Sequence, residues 1–174
     1  MSKLLTLFTY ASWGLGAFFV GASIFVFILY FFGQNTLSRY LFDAAWVLYQ
    51  KQYYKTALFV LERVFQYTPN HPLLFYTMGL IHLELGHFER GKDYFYMALL
   101  QNSEDPLCLY QLGVLEYQSE HYTLAIDHWI SAIQYQEKPE ADTYYYIGLA
   151  YDALQEFQAT YEIFQQGLEL DPGH

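Results

Sequence analysis

The sequence predicts an all-α protein, with a single N-terminal transmembrane helix followed by an α-solenoid of about four helical hairpins. Three observations predict it. The chain opens on a long stretch without a charged side chain. After that stretch, apolar residues recur at the 3.6-residue helical period and do not alternate as in a strand. A pattern of small and aromatic residues then returns every 34 residues, the mark of a stacked array of identical units.

The opening stretch, Leu4 to Phe32, reads "LLTLFTYASWGLGAFFVGASIFVFILYFF". As a helix it would run ~43 Å, against a hydrocarbon core of ~30 Å. Tyr10 and Tyr30 fall nearer its two ends, where aromatic belts sit, while Trp13 lies well inside. A cleaved signal peptide is the rival reading, but this apolar region is too long and no small-residue cleavage site follows. Ala17 and Gly21, four apart, leave a small surface that could admit close packing in lipid, although glycine is common in such helices anyway. Lys3 on one side and Arg39 with Lys51 on the other leave the orientation undecided. Residues 1–33 are thus expected to form a membrane anchor and residues 38–174 a separate helical domain.

Four alignable units follow the anchor: 38–71, 72–105, 106–140 and 141–174, the third with one extra residue around "QEKPE". The eighth position of each holds Ala45, Gly79, Gly113 or Gly148, and the twentieth Ala57, Gly91, Ala125 or Thr160. Small residues at these two places let antiparallel helices approach, so the eighth and twentieth positions are expected to face each other across a hairpin. The twenty-fourth position holds Leu61, Phe95, Trp129 or Phe164, large side chains expected to fill the space against the next unit. Pro72 and Pro106 suit a first helical turn, where an amide hydrogen has no partner, and Asp105 can cap that turn. One hairpin cannot bury its apolar face, but stacked hairpins share a continuous core.

This pattern resembles the tetratricopeptide repeat (TPR) family from Ser38 to the end of the chain. "YQLGVLEYQSEHYTLAIDHWISAI" and "YYIGLAYDALQEFQATYEIFQQGLELDP" carry the resemblance best. Thr160 at the twentieth position, Gly167 inside a helix and bulky Val64 at the twenty-seventh depart from the family pattern. The resemblance implies a superhelix whose concave face is lined by the first helix of each hairpin. Carried onto this chain, the inward positions include Phe42, Trp46, Tyr49, Tyr76, Leu80, Leu83, Tyr110, Val114, Tyr117, Tyr145 and Leu149. The fifth position is aromatic in all four units, as Phe42, Tyr76, Tyr110 and Tyr145. Such a ladder would either grip a partner or pack between neighbouring first helices.

Composition narrows the function. The net charge of −10 supplies no basic stripe for a phosphate backbone, which excludes nucleic-acid binding. Cys108 stands alone, so no disulfide forms within the chain. His82 and His87 diverge on a helix, and His121 and His128 share a face without a carboxylate or cysteine at ligand spacing. No nucleophile has its expected partners. The expectation is a non-enzymatic scaffold with no catalytic residue, cofactor, metal or small-molecule substrate. Arg39 is the one basic residue at the inward positions, among Glu84, Asp142 and Asp152, so an apolar or amphipathic segment suits the groove better than a carboxylate terminus.

One amino-terminal span followed directly by a few repeats, with a first repeat of the type "AWVLYQKQYYKTALFVLERVFQYTPNHP", resembles the photosystem I assembly TPR proteins of cyanobacteria and plastids. That likeness implies a single-pass thylakoid membrane protein with its repeats in the stroma or cytoplasm, assisting photosystem I subunits or assembly factors. Two alternatives are a bacterial inner-membrane adaptor with periplasmic repeats and a permanent small subunit of a membrane complex. In each, the client is a membrane protein or its apolar or amphipathic segment.

Overall fold

In a computed structural model described at residue 33 and residues 35–173, the regular secondary structure of the described residues is helical, with turns between the helices. Residues 35–50 are the described part of α1. Behind it come α2 (Tyr54–Tyr67), α3 (Leu74–Glu84), α4 (Phe88–Gln101), α5 (Pro106–Gln118), α6 (Tyr122–Tyr135), α7 (Ala141–Ala153) and α8 (Phe157–Leu170). From α3 onward each odd-numbered helix packs most heavily on the even-numbered helix that follows it.

Each odd helix ends in the same turn. The amide of Gln52 donates to the Tyr49 carbonyl at 2.8 Å and that of Tyr53 to the Leu48 carbonyl at 2.9 Å. Gly86 and His87, Glu120 and His121, and Gln155 and Glu156 repeat this pair of bonds after α3, α5 and α7. It is the Schellman arrangement, which satisfies carbonyls at a helix end and needs a left-handed residue. That residue is Gln52, Gly86, Glu120 or Gln155, with φ of 64°, 74°, 62° and 63°.

The hairpins close over their small residues. A Cβ on Gly91 would lie 3.2 Å from the Gly79 carbonyl oxygen, so the eighth and twentieth positions do meet across the α3–α4 hairpin. The tightest contact at the eighth position, however, is with the ring at the twenty-fourth. A Cβ on Gly79 would lie 2.6 Å from Cε1 of Phe95, and one on Gly113 would lie 2.5 Å from Nε1 of Trp129. Gly148 lies under Phe164 in the same way. Phe95 and Trp129 therefore fill their own hairpin as well as the seam to the next, where Phe95 meets Cys108 and Leu112, and Trp129 meets Ile147 and Ala150. Gly167, unexpected inside a helix, is buried where a Cβ would come 3.2 Å from Cβ of Tyr144 on α7.

The capping expectation holds at α5, where the Asp105 carboxylate accepts from the amides of Leu107 at 2.9 Å and Cys108 at 3.3 Å beside Pro106. Pro72 instead stands just ahead of α3, which begins at Leu74.

The expectation of a single-pass membrane protein is corrected. No helix of the described residues is long and apolar enough to cross a membrane. Helices α2 to α8 span 11 to 14 residues. That is about 16–21 Å, against a hydrocarbon core of ~30 Å. The Leu4–Phe32 stretch on which the anchor was argued lies outside the described residues.

Candidate protein-binding surface

The residues expected to line a groove lie mostly over the seams between hairpins. Tyr49 packs on the α1–α3 core, Tyr76, Leu80 and Leu83 on the cluster around Phe95 and Leu112, and Tyr110, Val114 and Tyr117 on the cluster around Trp129 and Ile147. These residues and Leu149 are half-buried. Phe42 is taken off the surface altogether, 8% exposed and stacked on His71 at 4.2 Å. Trp46 and Tyr145 stand out from the seams, 37% and 45% exposed.

Ring contacts explain the half-burial. Tyr76 lies 5.9 Å from Phe95, and Tyr145 lies 5.9 Å from Phe164, so each ring leans on the large side chain of its own hairpin. Tyr110 instead reaches forward to Tyr146 at 6.3 Å. At the amino-terminal side Trp46, Tyr49 and Tyr54 form a chain with centroid spacings of 5.3 and 5.9 Å. Burial raises the Tyr76 hydroxyl above its ordinary value. It pushes that of Tyr110 up to about 12, with Tyr146 and the carboxylates of Asp142 and Glu140 adding to the shift. Both remain protonated donors at neutral pH, so the surface offers apolar rings with polar tips.

The structure also reveals a cluster that escaped the sequence reading. Glu116 on α5 has a fully buried side chain. Lys92 of α4 contacts its Oε1, and Nδ1 of His121, at the start of α6, lies 2.9 Å from its Oε2. Burial works against the charge, but Lys92 and His121 outweigh it and hold Glu116 below the usual carboxylate range. His128 lies close by, its pKa lowered by burial although Glu116 pulls the other way. Glu116 thus gives His121 a carboxylate partner from the preceding helix. A signal existed in the register. The eleventh position of the other units holds Leu48, His82 and Tyr151, side chains suited to a sheltered slot, so an acid there marks a buried ion.

Lys92 and His121 pin the Glu116 carboxylate, and Cys108 is buried with its thiol pushed up to about 12, by burial first and then by Asp105. Among the described residues no three His, Cys, Asp or Glu side chains converge as a metal set. The far end of the solenoid carries an apolar hollow of about 270 Å³ lined by Ala141, Tyr145, Phe164, Gly167 and Leu168.

Comparison with known proteins agrees with this architecture. Residues 50–132 match the family model for anaphase-promoting complex, cyclosome, subunit 3, and residues 141–174 match a tetratricopeptide repeat model. A curated relative, anaphase-promoting complex subunit cut9 of Schizosaccharomyces pombe, is 33% identical over 114 residues, which are 62% of this chain and 16% of the relative. This chain therefore spans about one sixth of that protein. Among solved structures, MamA from Desulfovibrio magneticus RS-1 superposes with a TM-score of 0.70 at 23% identity, covering 79% of this chain and 77% of that one. YrrB, a TPR protein with an unusual peptide-binding site, gives 0.66 at 20% identity over 79% and 70%. The Cut9–Hcn1 hetero-tetramer gives 0.61 at 24% over 75% of this chain and 26% of that one. These structures share the fold. The thylakoid or inner-membrane placement is overturned, since the curated relative is a fission-yeast complex subunit and no described helix can span a bilayer.

Proposed function

We propose that this chain, a tetratricopeptide-repeat protein, is a non-enzymatic interaction scaffold that binds an amphipathic segment of a partner protein along its first helices. The carrying observation is the row of rings over the seams. Tyr49, Tyr76, Tyr110 and Tyr117 are held half-exposed by the core beneath them, with Trp46 and Tyr145 projecting beyond. Rings fixed in this way bind at little entropic cost, because packing has already removed their rotamer freedom. The excess of acidic residues favours a partner whose apolar face is flanked by lysine or arginine. The relative's membership of a multi-protein complex supports protein binding as the task.

The test is selection from a displayed library of helical peptides, followed by binding measurements on Trp46→Ala/Tyr145→Ala. Both side chains are exposed, so the variant should keep its helicity. Peptides with a basic-flanked apolar face should be enriched, and the variant should bind them at least about tenfold more weakly. Equal binding by the folded variant would move recognition off this surface.

A further inference from the structure

We propose that copies of this chain associate head to tail, with the outer stripe of α1 in one copy filling the hollow at the α7–α8 end of another. The inference goes beyond the groove reading and shares only Tyr145 with it, as a wall of the hollow.

The observation is a register. With repeats counted from residues 38, 72, 106 and 141, the third, seventh and tenth positions form a stripe along each first helix. In the later repeats this stripe is buried against the preceding hairpin. Leu74, Met78 and Ile81 pack with Ala57, Leu61 and Val64. Cys108, Leu112 and Leu115 pack with Phe95 and Ala98, while Ile147 and Ala150 pack with Ala125 and Trp129. In the first repeat the same positions hold Tyr40, Ala44 and Val47, and all three are exposed, Tyr40 by 73% and Val47 by 46%.

The receiving half of the seam lies at the other end. The twenty-fourth and twenty-seventh positions of the first three repeats, such as Phe95 and Ala98, are covered by the stripe of the next hairpin. In the fourth repeat these positions are Phe164 and Gly167, and they line the apolar hollow together with Leu168, which is 46% exposed. The described residues thus display both halves of the joint that they already make three times internally. Charge favours the same pairing. In the first repeat Arg39, Lys51, Lys55 and Arg63 outnumber Asp43 and Glu62, whereas the last repeat is acidic and has no lysine or arginine. Like ends therefore repel and unlike ends attract. Such a contact is heterologous, so it extends into a chain of copies unless the rotation closes a ring.

The experiment uses two full-length variants, Val47→Cys and Leu168→Cys. Both positions are about half-exposed, and the native Cys108 is fully buried and does not compete. Under mild oxidation the mixture should form a disulfide-linked dimer of one variant with the other. Either variant alone should give only collisional background. Adding Tyr40→Glu to the Val47→Cys chain should cut the mixed dimer at least about fivefold with helicity unchanged, because a carboxylate is disfavoured in an apolar slot. If Val47→Cys loses helicity, Ala44→Cys replaces it. Efficient self-linking of either variant, or a mixture that stays uncrosslinked, would overturn the proposal and leave the hollow to a helix of another protein.

Discussion

Gly113 is an example of a residue whose role could be read in advance, whereas Glu116 is not. A small residue at a fixed place in every unit announces a close approach, and the Trp129 ring indeed lies where a Gly113 Cβ would come within 2.5 Å of Nε1. That nitrogen also donates to the Tyr110 carbonyl at 3.2 Å, so the ring cannot shift without losing a bond. Gly113→Ala should cost about 1–3 kcal/mol in thermal unfolding, the range for overpacked cores. The cost should shrink in a Trp129→Leu background, and an unchanged cost there would mean that the ring is not the obstacle. Glu116 has no part in the sequence reading, because its burial shows only when the eleventh positions of the four units are set side by side. Only folding brings Lys92 and His121 onto it. Glu116→Gln should destabilise the protein by about 1–3 kcal/mol at neutral pH, since it leaves partners without their charge. Glu116 is held below its ordinary value of 4.5, so its contribution is present above that pH and is lost as the pH falls through the folded value. A series of melts from pH 7 downward should therefore show the deficit shrinking as the pH falls through the folded value.

Between elements, the helices were legible and the turns were not. Helical period and the 34-residue beat locate the hairpins, but three of the four left-handed turn residues are Gln52, Glu120 and Gln155, not glycine. The Schellman bonds hold them there, so the backbone pattern dominates local preference. Glu120→Gly should raise stability by up to about 1 kcal/mol, because relief of the left-handed penalty slightly exceeds the added freedom of the unfolded chain. A fall in melting temperature would show that the Glu120 side chain is needed at the turn. A second consequence lies between α3 and α4. His82 is 7% exposed and stacks on Tyr94 at 5.2 Å. Burial, with His87 and Arg90 adding to it, lowers its pKa below the ordinary 6.5. A base with a depressed folded value stabilises above its unfolded pKa, and that stability is lost as the pH falls through the folded one. The melting temperature should thus decline on acidification below about 6.5, and His82→Phe should flatten the decline. An unaltered slope in that variant would assign the effect to His71 or His128, whose pKa values are also lowered by burial.

At the scale of the molecule, the repeat period predicted the architecture, and location did not follow from it. The resemblance that implied a thylakoid rested on an uncharged stretch beyond the described residues and on a layout that many repeat proteins can share. The register lines up the residues expected at a groove, but it does not give their half-burial, because linear register cannot separate a ring that packs a seam from one that faces a partner. The seams themselves make a further prediction. In a stack of hairpins each unit is stabilised by its neighbours, so an end covered on one side opens first. Among the described residues of α8 only Gly167 is buried, whereas α6 buries Ala125, Ile126, Trp129 and Ala132. Amide exchange in dilute protein should therefore be faster in α8 than in α6 by about tenfold or more, a difference of ~1.4 kcal/mol in opening. Head-to-tail association would cover Phe164 and Leu168, so the α8 amides should gain protection as concentration rises while those of α6 change little. Equal exchange in the two helices at low concentration would mean that the hairpins open as one unit and that the end of the stack is no weaker than its middle.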